Sequence, residues 1–110
     1  MTVSELSKNN LLTVLCMPDG ERVIHGAYIG DLLSWVMGRA KADNVWITIM
    51  SNSNTVAVAS LADVSCVILA EGVTLEASII ETAKQNNINI FSTDLTAYDT
   101  AVMLSKLEII

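Results

Sequence analysis

Apolar runs alternate with short polar turns along the chain, and from Val45 onward the alternation is regular. Val45–Met50 reads as a buried strand, and Ser51-Asn52-Ser53-Asn54 as a turn full of helix-capping residues. Thr55–Ala62 is a helix of small residues, and Ser65–Ala70 is the next strand. Glu71-Gly72-Val73-Thr74 links it to a helix over Leu75–Asn86, and Ile88–Ser92 is the last strand. Thr93-Asp94-Leu95-Thr96 then leads into a final helix ending near Leu107. Strands that alternate with helices in this way pair in parallel through right-handed crossovers. The continuous run Cys66-Val67-Ile68-Leu69 suits a strand covered on both faces.

The first third is patterned differently. Thr2-Val3-Ser4-Glu5 has capping-box spacing and predicts a short helix from Val3 to Asn9. Leu11–Met17 and Val23–Ile29 read as strands on either side of the turn signal Pro18-Asp19-Gly20, which sets them up as an antiparallel pair. Asp31 is placed to cap a helix over Leu32–Ala40. The expected fold is therefore α/β: three layers, with a mostly parallel sheet of about five strands. An N-terminal hairpin precedes three βα units, in one domain over residues 1–110.

The helices are not alike. Leu75, Ile79, Ile80 and Ala83 share one stripe of an ordinary surface helix. Leu32, Leu33, Trp35, Val36 and Met37 instead spread over roughly 200° of the helical wheel, about twice the usual apolar stripe. Such a helix needs cover from two sides. Either the N-terminal hairpin supplies it, or Leu33, Trp35 and Met37 belong to a homodimer interface, whose residue types they match. The small-residue helix calls for a central position or a subunit contact.

Composition points the same way. Hydrophobic residues make up 52% of the 110 and charged residues 16%, against about 25% in a typical soluble domain. Mean hydropathy is +0.50, so apolar surface is left for a partner. Net charge is −6, and six scattered Lys and Arg make no phosphate-tracking stripe, which argues against nucleic acid and anionic membranes. The N-terminus lacks the pattern of a secretory signal and the longest apolar tract is too short and mixed to span a bilayer, so a cytoplasmic protein with two reduced thiols is expected.

Catalytic chemistry is sparse. The P-loop spacing is missing, His25 is the single histidine, and neither Cys16 nor Cys66 has a flanking base. No catalytic residue, metal ligand or cofactor is assigned. The strand ends offer more: Asn52, Ser53, Asn54, Thr55 and Thr93 stand where parallel sheets collect ligands, as hydroxyls and amides for a phosphate or carboxylate or simply as helix caps.

The runs Gly30-Asp31-Leu32-Leu33-Ser34, Val36-Met37-Gly38 and Val45-Trp46-Ile47-Thr48-Ile49 resemble the DRTGG domain. So do Asn54–Asp63, Ile68-Leu69-Ala70-Glu71-Gly72, Ile90-Phe91-Ser92-Thr93 and Thr96-Ala97-Tyr98. The string Asp-Arg-Thr-Gly-Gly itself is absent, and no role tied to it is carried over. Domains of that family accompany CBS domains in regulated pyrophosphatases, occur in long phosphotransacetylases and look like the N-terminal domain of HPr kinase/phosphorylase. Free-standing copies are similar to proteins encoded near iron-only hydrogenase genes. The resemblance implies a non-catalytic, dimer-forming regulatory module that binds a small ligand, such as an adenine nucleotide, or a partner enzyme. The alternatives are a ligand-free interaction subunit of a redox or kinase-like complex, and a small enzyme with a site between subunits.

Overall fold

Strand order follows from which runs are apolar throughout. In the computed structural model, which describes residues 1–107 and 109, five strands form one sheet. They are β1 (Thr13–Cys16), β2 (Ala27–Ile29), β3 (Val45–Thr48), β4 (Cys66–Leu69) and β5 (Ile90–Ser92). The order is β1-β5-β4-β3-β2. β2 through β5 run parallel, and β1 is antiparallel to β5. Every residue of β3 and β4 is buried, as expected of strands covered on both faces. The expectation of one domain over 1–110 extends to residues 108 and 110, which lie outside the described residues.

The expected α/β class and mostly parallel sheet are found, but the N-terminal hairpin is not. β1 and β2 occupy opposite edges of the sheet. The turn after Pro18 does form, yet Asp19 is held by Asn89, its N–H donating to Oδ1 at 2.9 Å. The chain is thereby carried across the amino ends of the strands instead of folding back on itself. β1 pairs with β5 through Thr13↔Ser92 and Val14↔Phe91, then slips register before Cys16↔Ile90.

Five helices cover the sheet: α1 (Val3–Leu6), α2 (Leu33–Arg39), α3 (Ser53–Ala62), α4 (Ala77–Gln85) and α5 (Ala97–Ser105). The pleat divides each strand between two cores. Trp46, Val67, Leu69 and Ile90 pack with Val36, Val56, Ala59 and Ala83 of α2, α3 and α4. Val45, Ile47, Cys66, Ile68 and Phe91 pack with Val3, Leu6 and Leu104 of α1 and α5. The capping box of α1 forms as expected, with Thr2 and Glu5 bonded reciprocally. Asp31 does not cap α2. Its Oδ1 accepts from Thr48 Oγ1 at 2.8 Å and from the Ile49 N–H at 3.0 Å, and α2 has no side-chain cap. Among the described residues no helix is long and apolar enough to cross a membrane.

One buried polar residue precedes each inner strand: Asn44, Ser65 and Asn89. Asn89 donates to the carbonyls of Asp19 and Ser65 at 2.8 and 2.9 Å and accepts from Asp19 N–H. Removing that amide strands three backbone groups, Ser65 O buried and the two of Asp19 partly buried. A buried unpaired group costs about 1–3 kcal/mol. Asn89→Ala is therefore expected to lower stability by about 2–4 kcal/mol, read as a fall in the urea midpoint at unchanged slope.

Burial also raises the Cys66 thiol from its ordinary 9.0 to about 12, and raises Cys16 as well. The folded chain then holds the Cys66 proton that the unfolded chain releases. Stability contributed below pH 9 is expected to decline as pH rises from about 9 toward 12, and the urea midpoint should flatten across that window in Cys66→Ala.

Candidate functional site

The connections from neighbouring strands decide where a crevice opens. α2, α3 and α4 all return over one face of the sheet, whereas α5 leaves β5 for the other. The carboxyl ends of β4 and β5 therefore form the topological switch point, where open α/β sheets collect ligands. A cleft of about 550 Å³ lies there. Its walls are the Gly72–Leu75 link after β4 and the Ser92–Leu95 segment after β5, with Asn10, Leu11, Thr13 and Leu15 on the β1 side.

Backbone bonds hold the two walls together. Glu71 N–H donates to Leu95 O at 2.8 Å and Gly72 N–H to Thr93 O at 3.0 Å. Glu71 and Gly72 both take left-handed backbone, φ 64° and 71°, which turns the chain sharply out of β4. A Cβ at Gly72 would lie 3.3 Å from the exposed Asp94 carboxylate, and it is the left-handed backbone that favours glycine here. Glu71 also accepts from the Ala97 N–H at the start of α5, at 3.4 Å, where a carboxylate complements the helix dipole. A second, smaller hollow of about 370 Å³ lies beside Asp31, Thr48, Glu71 and Val73.

The structure separates the residues singled out from sequence. Thr93 reaches the larger cleft, but its hydroxyl donates to Leu11 O at 2.9 Å and accepts from Leu95 N–H at 3.2 Å. It shapes the wall. Asn52, Ser53, Asn54 and Thr55 open α3 and line neither hollow. Asn52 caps the Asn54 N–H at 2.9 Å, Thr55 is buried and donates to Met50 O at 2.6 Å, and Ser53 and Asn54 are exposed. Thr13 and Ser92, paired across β1 and β5, were not singled out. Their approach depends on a pairing 79 positions apart that no local pattern announces.

Leu33, Trp35 and Met37 all lie on α2. Trp35 is 52% exposed and Met37 48%; Leu33 is half-buried against the α2–α4 core. Without the hairpin, only Val36 of α2 is fully buried. The Arg39 guanidinium sits 3.6 Å from the centroid of the Trp35 ring, a cation–π contact on open surface. α3 does lie centrally, burying Thr55, Val56, Val58 and Ala59, while its Leu61 is 75% exposed.

The opposite end of the sheet is closed. Arg22 bridges Asp43 at 3.0 Å and Asp63 at 2.8 Å. Burial opposes its charge, but the Asp63 and Asp43 carboxylates more than offset this and raise its pKa. His25 is exposed there, with its backbone N–H on Asp43 O. Among the described residues no three His, Cys, Asp or Glu side chains converge to hold a metal ion.

Comparison with known proteins agrees with this architecture. The CBS and DRTGG domains of the regulatory region of Clostridium perfringens pyrophosphatase, solved with the activator diadenosine tetraphosphate, share the fold with a TM-score of 0.67 at 17% identity. The match covers 84% of this chain and 41% of that one. The chain thus spans less than half the length of that relative. No curated protein matches. The DRTGG domain family matches residues 13–107, and with most of its length accounted for the chain belongs to that family.

Proposed function

We propose that residues 1–110 form one non-catalytic regulatory module of the cytoplasm, which pairs as a homodimer through α2. At the carboxyl ends of its sheet it binds a small ligand or a partner enzyme. The observation that carries the reading is apolar surface left open around α2. Trp35 and Met37, at the two margins of its apolar arc, and Leu32 at its N-cap are each about half exposed. Half-exposed Trp flanked by Arg is a residue combination enriched at the centres of protein interfaces. The regulatory reading draws support from family membership and from the pyrophosphatase region that shares the fold. That protein was solved with a dinucleotide activator, which motivates a nucleotide-related ligand here.

Sedimentation velocity at low micromolar concentration is expected to show twice the 11.8 kDa chain mass. Trp35→Glu places a charge in the proposed interface and should weaken pairing by about 30-fold or more. Far-ultraviolet circular dichroism should be unchanged, because Trp35 lies outside both cores. A strictly monomeric wild type removes the reading; a Trp35→Glu protein that stays dimeric moves the interface off α2.

A further inference from the structure

The cleft at the carboxyl ends of β4 and β5 has its own chemical character, and the regulatory reading leaves that character open. We infer that it is a binding site for a nucleoside-class ligand: an uncharged ring system bearing hydroxyl or amine donors, without phosphate. The inference deepens the proposed ligand role and rests on it only in supposing that the module takes a small molecule.

Size and lining set the class. About 550 Å³ falls within the usual range of small-molecule sites. Thr13 and Ser92 are direct cross-strand partners, so their side chains share one face of the sheet about 5 Å apart. That face is the one on which Ile90 packs, two residues before Ser92. With the Thr93 hydroxyl committed to backbone, Thr13 and Ser92 furnish the polar floor. Leu11 and Leu95 on one side and Val73 and Leu75 on the other give apolar walls, suited to the faces of a flat ring. Asp94 at the rim is an acceptor for hydroxyl or amine donors, the use to which dinucleotide-binding sheets put a carboxylate against ribose.

Charge removes the phosphorylated alternatives. Among the described residues Asp94 is the single charged residue lining the cleft. The loops and first helical turns after the four parallel strands carry Asp31, Glu71, Glu76, Asp94 and Asp99, and no Lys or Arg. Arg39 and Lys84 stand in the last turns of α2 and α4, and Lys106 follows α5. This polarity complements the helix dipoles, and it also presents any approaching anion with a row of carboxylates. A polyphosphate would need cations where the chain has placed acids.

Thermal unfolding and calorimetric titration of the full chain with adenosine, AMP and ATP provide the test, at low ionic strength without divalent cations. Adenosine is expected to raise the unfolding midpoint by several degrees. ATP should bind at least about tenfold more weakly, with the gap narrowing as salt is added. Thr13→Ile and Ser92→Val fill the cleft with β-branched side chains that suit a strand, so each should lose the adenosine shift while keeping the unliganded midpoint. Asp94→Asn should narrow the preference for adenosine over ATP. The inference is overturned if ATP or pyrophosphate stabilises as strongly as adenosine, if adenosine gives no shift, or if its shift survives in a cleft-filled variant that remains folded. A monomer that binds adenosine would keep this inference and sink the dimer, and a dimer indifferent to adenosine would do the reverse.

Discussion

Burial of the inner strands on both faces is the constraint from which the rest follows. β3 and β4 are buried along their whole length. The polar contacts of Trp46 with Gly30 O and of Thr48 with Asp31 lie on the carboxyl side, so the amino ends must be anchored by other residues. That task falls to the residues just before them. Asn44 donates to His25 O at 2.7 Å and accepts from Lys41 N–H. The one Ser65 hydroxyl is shared between Asp43 O and Val23 O, and Asn89 secures Asp19. Each satisfies backbone groups that a buried loop would otherwise leave unpaired, which a protein interior rarely tolerates. The polar row therefore fixes the ends of the strands as firmly as the two apolar cores fix their faces.

This division of labour makes the two ends of the sheet unequal. At the amino end the loops are stitched to one another and braced by Arg22 between Asp43 and Asp63. At the carboxyl end the loops bond chiefly to their immediate neighbours, and the departure of α4 and α5 to opposite faces leaves space between them. A cleft at the carboxyl end is then a consequence of connectivity and requires no special motif. The turn out of β4 that borders this space is made by Glu71-Gly72, both in left-handed conformation.

The parts of the fold written in local pattern were legible, and those that depend on distant pairing were not. The order from β3 through α5 follows from apolar runs, caps and turns that lie next to one another in sequence. The hairpin expectation failed because Pro18-Asp19-Gly20 specifies a turn without specifying what comes after it. The partner of β1 is β5, and the slip between Val14 and Cys16 has no counterpart in the residue pattern. Asp31 shows the same limit at a smaller scale. A cap and a cross-strand bridge need the same carboxylate at the same position, and only the nearness of Thr48 and Ile49 chooses between them. At the candidate site, residues with capping chemistry after β3 were conspicuous, whereas the cleft owes its polar floor to an edge pairing. The width of the α2 apolar arc was informative because it counted surface to be covered and did not depend on knowing the neighbour.

The start of α2 and the carboxyl ends of β3 and β4 adjoin one another. Asp31 is separated from Leu33, the first residue of α2, by one residue, and its carboxylate holds the end of β3 through Thr48 and Ile49. Glu71, bonded to Leu95 and Ala97, borders the hollow that Asp31 also lines. A contact on α2 that shifted the helix start would bear on the carboxyl end of β3 through the Asp31 bonds to Thr48 and Ile49, beside Ala70, whose N–H donates to Thr48 O. Thermodynamic reciprocity then sets a firm condition. Any ligand whose affinity changes on pairing must change the pairing constant by the same factor.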